Sequence, residues 1–105
     1  MSSEAEVFWL DEHRIVSLPE LAEFSGLTEA ELRELVQIGA LQASSHAGDT
    51  YVFSARVVTV ARTACRLRNE LELDVPSLGV ALRLLERVRD LEGELARLRA
   101  LLPRG

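Results

Sequence analysis

Residues 17–39 read SLPELAEFSGLTEAELRELVQIG and contain two helix starts in close succession. At each start a Ser or Thr stands three residues before a Glu, the capping box in which hydroxyl and carboxylate satisfy the first backbone N–H groups of a helix. Apolar residues follow at spacings of three and four, and a glycine closes each segment. Two short capped helices joined by a tight turn predict a helix-turn-helix; the boxes are Ser17 with Glu20 and Thr28 with Glu31, and the glycines are Gly26 and Gly39.

A small hairpin and a third helix are predicted to follow the helix-turn-helix. In the stretch LQASSHAGDTYVF, residues 41–43 are expected to pair with residues 51–53 across a polar loop, which makes a wing. Before the first helix, residues 14–16 are expected to form a short extended piece. Ser54 can cap the third helix, and the apolar face expected for that helix comprises Val57, Val60, Ala61, Ala64, Leu67 and Leu71.

A long C-terminal helix is predicted from about Pro76 to about Leu102, because Pro76 disfavours helical backbone at Val75. Its apolar residues alternate steps of three and four, the heptad pattern of a coiled coil. The a positions are Ala81, Val88, Leu95 and Leu102, and the d positions are Leu84, Leu91 and Leu98.

This apolar stripe either packs back on the N-terminal part of the chain, the head, or pairs with a second copy of the chain. The heptad pattern stays regular past the end of what a small domain can cover, and this favours a homodimer. In a parallel dimer Arg87 would meet Glu92, and Glu94 would meet Arg99, although exposed pairs of this kind contribute little. The dimer-interface residues that we expect are Leu84, Val88, Leu91, Leu95, Leu98 and Leu102.

Charge is divided unevenly along the 105 residues. Residues 1–60 carry ten acidic and three basic side chains, a formal charge of −7, whereas residues 61–105 carry nine arginines and seven acids, a charge of +2. An acidic head repels phosphate and favours a basic partner surface.

The residue patterns of catalytic and metal sites are missing from the sequence. Cys65 is the single cysteine, and His13 and His46 are the two histidines, so we expect no enzyme activity, no metal and no cofactor. The acidic start lacks the cationic and apolar regions of a signal peptide, and no apolar run is long enough to span a membrane. One cysteine suits a reducing compartment, and we therefore expect a cytoplasmic protein without membrane contact.

DNA binding is the first function that a helix-turn-helix with a wing suggests. The second helix, which would be the recognition helix, carries Glu29, Glu31 and Glu34 against Arg33 alone, and carboxylates between two rows of phosphates are repelled. Direct DNA binding is thus disfavoured. The alternative of a MerR-type transcription regulator requires contacts from another set of residues: Arg56, Arg62, Arg66 and Arg68.

The sequence resembles the CbpM-type chaperone-modulator family over about residues 15–102. The most specific part is RLRNELELDVPSLGVALRLL, residues 66–85, whereas SGLTEAEL is shared by many helix-turn-helix heads. The residue patterns above, with which the resemblance agrees, predict a mainly α fold. It consists of a MerR-like winged helix-turn-helix head with a small β-hairpin wing, residues 1–75, and a long C-terminal coiled-coil helix, residues 76–105. The acidic start with Phe8 and Trp9 has no counterpart in the family; it is either a docking strand or a cover for the core.

The resemblance also implies a partner, the J domain of a DnaJ-like, CbpA-type co-chaperone, and inhibition of that co-chaperone's stimulation of Hsp70. A J domain engages Hsp70 with a basic helix, which an acidic head would cover. The acids of the second helix either face the partner or are only charges at the helix end and on its solvent side. The four charged residues between positions 66 and 74 either contact the partner or form ion pairs that brace the corner between the third helix and the C-terminal helix. The partner-binding residues expected on this basis are Glu29, Glu31, Glu34, Arg66, Arg68, Glu70 and Asp74.

Overall fold

A computed structural model describes residues 14–47 and 50–103. Phe8, Trp9, His13, Gly48 and Asp49, which the sequence singles out, lie outside the described residues. In chain order the elements are β1 (Ile15–Ser17), α1 (Leu18–Ser25), α2 (Glu29–Gln37), β2 (Ser45–Ala47), β3 (Thr50–Ser54), α3 (Arg56–Leu71) and α4 (Val75–Leu101). The predicted order of two short helices, a hairpin and two longer helices is confirmed.

Both predicted capping boxes are present at the starts of α1 and α2. The Ser17 hydroxyl accepts from the Glu20 N–H at 3.2 Å, and the Glu20 carboxylate accepts from the Ser17 N–H at 2.9 Å. The Thr28 hydroxyl accepts from the Glu31 N–H at 3.1 Å in the second box. Gly26 ends α1 with a φ of 88°, a left-handed conformation that glycine adopts without a steric penalty. Local sequence therefore sets the ends of these helices.

The sheet has three strands in the order β1-β3-β2. β1 pairs antiparallel with β3, with Val16 opposite Phe53, and so the extended piece predicted before α1 is confirmed and gains a partner strand. The predicted pairing of residues 41–43 is wrong, because β2 begins only at Ser45, opposite Val52. Leu41 instead enters the core, since its N–H bonds to the Leu35 carbonyl at 3.2 Å in the turn that ends α2.

The third helix, α3, lies against α1 and buries Val58, Ala61 and Ala64. The predicted apolar face is therefore rotated by one residue at its start, because Val58 has no exposed surface and Val57 is half-buried. Leu71 was also placed wrongly: it is the last residue of α3, beyond the core, and 61% of it is exposed. The predicted cap at Ser54 is wrong by one residue, because the N-cap position of α3 is Ala55, which has no side-chain cap. The Ser54 hydroxyl only accepts from the Arg56 N–H, at 3.3 Å.

The first turns of α4 complete the same core. Leu78 and Gly79 are buried there with Leu82, next to the end of α2. A side chain at position 79 would lie 2.5 Å from Cδ1 of Ile38, so glycine permits the close approach of the two helices. The division into residues 1–75 and 76–105 stays a prediction about folding units. Among the described residues, no helix is long and apolar enough to cross a membrane.

Candidate interaction surfaces

The acids of α2 fall into two groups. Glu29 and Glu34 are exposed, whereas Glu31 is half-buried and accepts both from the Thr28 N–H at 2.9 Å and from the Arg68 guanidinium. Burial alone would raise the pKa of Glu31, but the Thr28 N–H and then Arg68 outweigh it and hold the pKa below its ordinary value. Glu31 is thus an internal anchor, and Glu29 and Glu34 are the acids of α2 that face solvent.

The predicted residues of the α3–α4 corner have different roles. Arg68 reaches from α3 to Glu31 of α2 and therefore braces the head rather than the corner itself. The Asp74 carboxylate accepts from the Ser77 N–H at 2.8 Å and caps α4. Hydrogen bonds from Ser77 lower the pKa of Asp74. Arg66 and Glu70 remain exposed on α3. The structure brings Glu31 and Arg68 together but leaves Asp74 apart from them in a capping role.

A shallow groove of about 600 Å³ lies between the end of α1 and the C-terminal half of α3. Its lining includes two of the predicted partner residues, Arg66 and Glu70, and also Arg62, which the sequence singled out only for DNA contacts. Glu23, Phe24 and Cys65 also line it, and the sequence did not single them out for a partner. The sequence did contain one indication of this groove. Arg62, Arg66 and Glu70 recur every four residues and therefore share one face of the helix.

Two arginines of α3 are used within the head. The Arg62 Nε donates to the Phe24 carbonyl at the end of α1 at 2.9 Å, and Arg68 pairs with Glu31. A positive charge near a helix C-terminus is favourable because the carbonyls there carry partial negative charge. Of the four arginines that DNA binding would require, Arg56 and Arg66 are the exposed ones.

The predicted seam of α4 lies on the side opposite the residues that enter the core. Successive residues of a helix turn by 100°, which puts Leu84, Val88 and Leu91 about half a turn from Leu82. All six predicted interface residues are between 45% and 67% exposed. The stripe therefore does not pack back on the head, and it presents a continuous apolar edge to solvent.

The remaining chemical groups to locate in the described ranges are candidate metal ligands and the single thiol. Within residues 14–47 and 50–103, no three His, Cys, Asp or Glu side chains are grouped to hold a metal ion. Cys65 is a half-buried free thiol whose sulfur lies 3.7 Å from both the Asn69 amide nitrogen and an Arg68 nitrogen. These contacts fix the thiol at the wall of the groove.

Residues 16–100 match the family described as MerR HTH family regulatory protein. A chaperone modulatory protein CbpM of Escherichia coli O1:K1 / APEC is 36% identical over 88 residues, which cover 84% of this chain and 87% of that protein. A CbpM of Escherichia coli O139:H28 (strain E24377A / ETEC) is 35% identical over the same shares. These relatives are named for modulating a chaperone rather than for a reaction, and they support a chaperone-modulator role. The chain belongs to the CbpM-type chaperone-modulator family, within the MerR-type helix-turn-helix proteins.

Proposed function

We propose that this protein binds the J domain of a DnaJ-like, CbpA-type co-chaperone and inhibits the stimulation of Hsp70 by that co-chaperone. The observation that carries the proposal is the charge of the head. Its acids Glu23, Glu29, Glu34 and Glu70 are exposed, while two of its arginines are held by internal partners. A J domain engages Hsp70 through a basic helix, and covering that helix would block the engagement.

The electrostatics of such a complex predict how it forms. Opposite charges on two surfaces speed association, and salt weakens the steering because it screens exposed charges. The alternative, a MerR-type DNA-binding regulator, draws less support, because Arg62 and Arg68 donate to Phe24 and Glu31 inside the head. The acids of the helix that would enter the major groove count against it as well.

The exposed seam of α4 supports the further proposal that the protein is a homodimer. Apolar residues at a and d positions bury little in a monomer, and pairing with a second copy would remove them from water. Opposite charges would face each other whether the two α4 helices run parallel or antiparallel. A parallel pair joins Arg87 to Glu92 of the second copy, and an antiparallel pair with Val88 opposite Leu91 joins Arg87 to Glu94 of the second copy.

The proposal is tested by calorimetry between this protein and each DnaJ-like co-chaperone of its own genome, at low and at moderate salt. The control partner is the same co-chaperone without its J domain. Saturable heat that requires the J domain and falls with salt is expected, together with a lower ATPase rate of Hsp70 in the presence of the complex. No heat with any of these co-chaperones would refute the function.

A further inference from the structure

The groove between α1 and α3 is lined by charges of both signs. On α3, Arg62, Arg66 and Glu70 follow one another at intervals of four residues and form one wall. Glu23 of α1 stands on the other wall, and half-buried Phe24 lies beside it. The lining therefore carries two positive and two negative side chains next to an apolar surface, so its selectivity would come from charge pattern rather than from net charge.

One of these charges is positioned by the fold itself. The Arg62 Nε is bonded to the Phe24 carbonyl at 2.9 Å, and this contact holds the half-buried guanidinium at the groove with its other N–H groups still to be satisfied by water or a ligand. Arg66, one helical turn further on, is exposed. Paired guanidinium groups at this spacing are suited to a carboxylate, which accepts from both.

Three of the other predicted partner residues have partners within the fold, whereas Glu29 and Glu34 are exposed on α2. Glu31 and Arg68 are bonded to each other, and Asp74 caps α4. Arg66 and Glu70, in contrast, are both exposed and both line the groove. The groove thus combines the exposed side chains of Arg66 and Glu70 with a concave surface and the half-buried aromatic ring of Phe24.

We propose that the groove between α1 and α3 is the surface on which the J domain docks. It takes an amphipathic partner helix that presents a carboxylate to Arg62 and Arg66 and basic side chains to Glu23 and Glu70. This inference rests on the proposed function, and it places the contact on α1 and α3 rather than on the acidic face of α2. The groove has a volume of about 600 Å³, which is enough for several side chains of a partner helix that lies along it.

The test exchanges the two exposed charges of one wall. The double variant R66E/E70R keeps the net charge and keeps one arginine and one glutamate four residues apart, so long-range steering is unchanged. Calorimetry of the full chain with the co-chaperone is expected to show binding weakened on the order of tenfold or more, because charges of each sign would face their like. The matched control E86R/R89E makes the same exchange on exposed residues of α4 and is expected to bind like the original protein.

A second measurement needs no substitution in the groove. Cys65 lines the groove, so a saturating co-chaperone is expected to slow alkylation of its thiol by iodoacetamide. If the original protein binds but R66E/E70R binds equally well, or if Cys65 is alkylated at an unchanged rate in the complex, the docking surface lies elsewhere and the proposed function stands. If the original protein binds no co-chaperone, the proposed function itself fails.

Discussion

Arg68 on α3 donates to the carboxylate of Glu31 in the first turn of α2, and the two residues are 37 positions apart. The same Glu31 oxygen accepts from the Thr28 N–H, so one carboxylate both caps a helix and ties it to another. The side chains are 26% and 20% exposed, and solvent screening is therefore incomplete. This contact removes Glu31 and Arg68 from the surface that a partner can use.

Separate substitutions of Glu31 distinguish its cap from its ion pair. In Glu31→Gln an amide oxygen can still accept from Thr28, but the charge is lost, and the free energy of unfolding is expected to fall by about 0.5–1 kcal/mol. Glu31→Ala loses the cap too, and a fall of about 1–2 kcal/mol is expected. Urea unfolding gives these values. In an Arg68→Ala background the effect of Glu31→Gln is expected to be smaller, because only the charged acceptor for the Thr28 N–H is then lost. An undiminished effect there would show that the ion pair contributes nothing.

Acid is expected to destabilise the fold through its helix caps. The pKa of Glu20 is lowered, first by the backbone N–H of Ser17, and the pKa of Glu31 is lowered as well, from an ordinary value of 4.5. A carboxyl with a lowered pKa in the folded state contributes stability that is complete above its unfolded pKa and is lost as the pH falls through the folded pKa. The free energy of unfolding should therefore be nearly constant from pH 7 to about 5 and fall below that.

The double variant Glu20→Gln with Glu31→Gln provides the comparison for this pH dependence. Because it lacks both titrating groups, its free energy of unfolding is expected to fall less steeply between pH 5 and pH 3 than that of the original protein. Urea midpoints at several pH values measure both curves. Parallel curves in this window would mean that other groups cause the acid sensitivity.

Two glycines inside α4 are expected to respond differently to alanine. At Gly93 nothing lies within 4 Å of an added Cβ, and Gly93→Ala should stabilise the protein by about 0.5–1 kcal/mol, because alanine loses less entropy in a helix. At Gly79 the added Cβ meets Cδ1 of Ile38 at 2.5 Å, so the propensity gain is offset by displacement of that side chain. Thermal unfolding by circular dichroism at fixed protein concentration compares the two.

Shortening Ile38 isolates the reason for this difference. In an Ile38→Val background, which lacks Cδ1, Gly79→Ala is expected to be more favourable than in the original protein. Equal effects in both backgrounds would show that Ile38 does not limit position 79.

The seam of α4 is expected to control self-association. Leu91→Asp with Leu98→Asp places two charges on the seam and should give a monomer in analytical ultracentrifugation. The matched control is Ala96→Asp with Ala100→Asp, which adds the same charges on the opposite, exposed side of the helix and should leave the dimer intact. A sedimentation coefficient unchanged by the seam substitutions would refute the coiled-coil assignment.

Helix order in the dimer can be read from one cysteine on the seam. In a Cys65→Ser background, Leu98→Cys faces itself across a parallel coiled coil and should then form a disulfide on mild oxidation. In an antiparallel pair, position 98 instead faces position 81, so Leu98→Cys alone should not cross-link, whereas Leu98→Cys mixed with Ala81→Cys should.

The sequence by itself determined the features that act over one helical turn. Ser17 and Thr28 cap helices because the N–H groups from which they accept lie three residues ahead, within reach in any helical chain. Asp74 caps α4 in the same way, although the sequence resemblance assigned it to the partner site. The apolar seam of α4 could also be predicted from the sequence, because helical spacing alone puts the a and d residues on one side of the helix. The membership of the family followed from residues 66–85 for the same reason, because a contiguous pattern is present in the chain before it folds.

Tertiary structure decided what depends on distant residues. The partner strand of β1, the entry of Leu41 into the core and the burial of Val58 follow from how the helices and the sheet pack, and a local pattern does not fix that packing. Arg62 and Arg68 look alike in sequence, yet each is held by a group 37 or 38 positions away. The groove exists only because α1 and α3 lie side by side, so neither helix alone contains it.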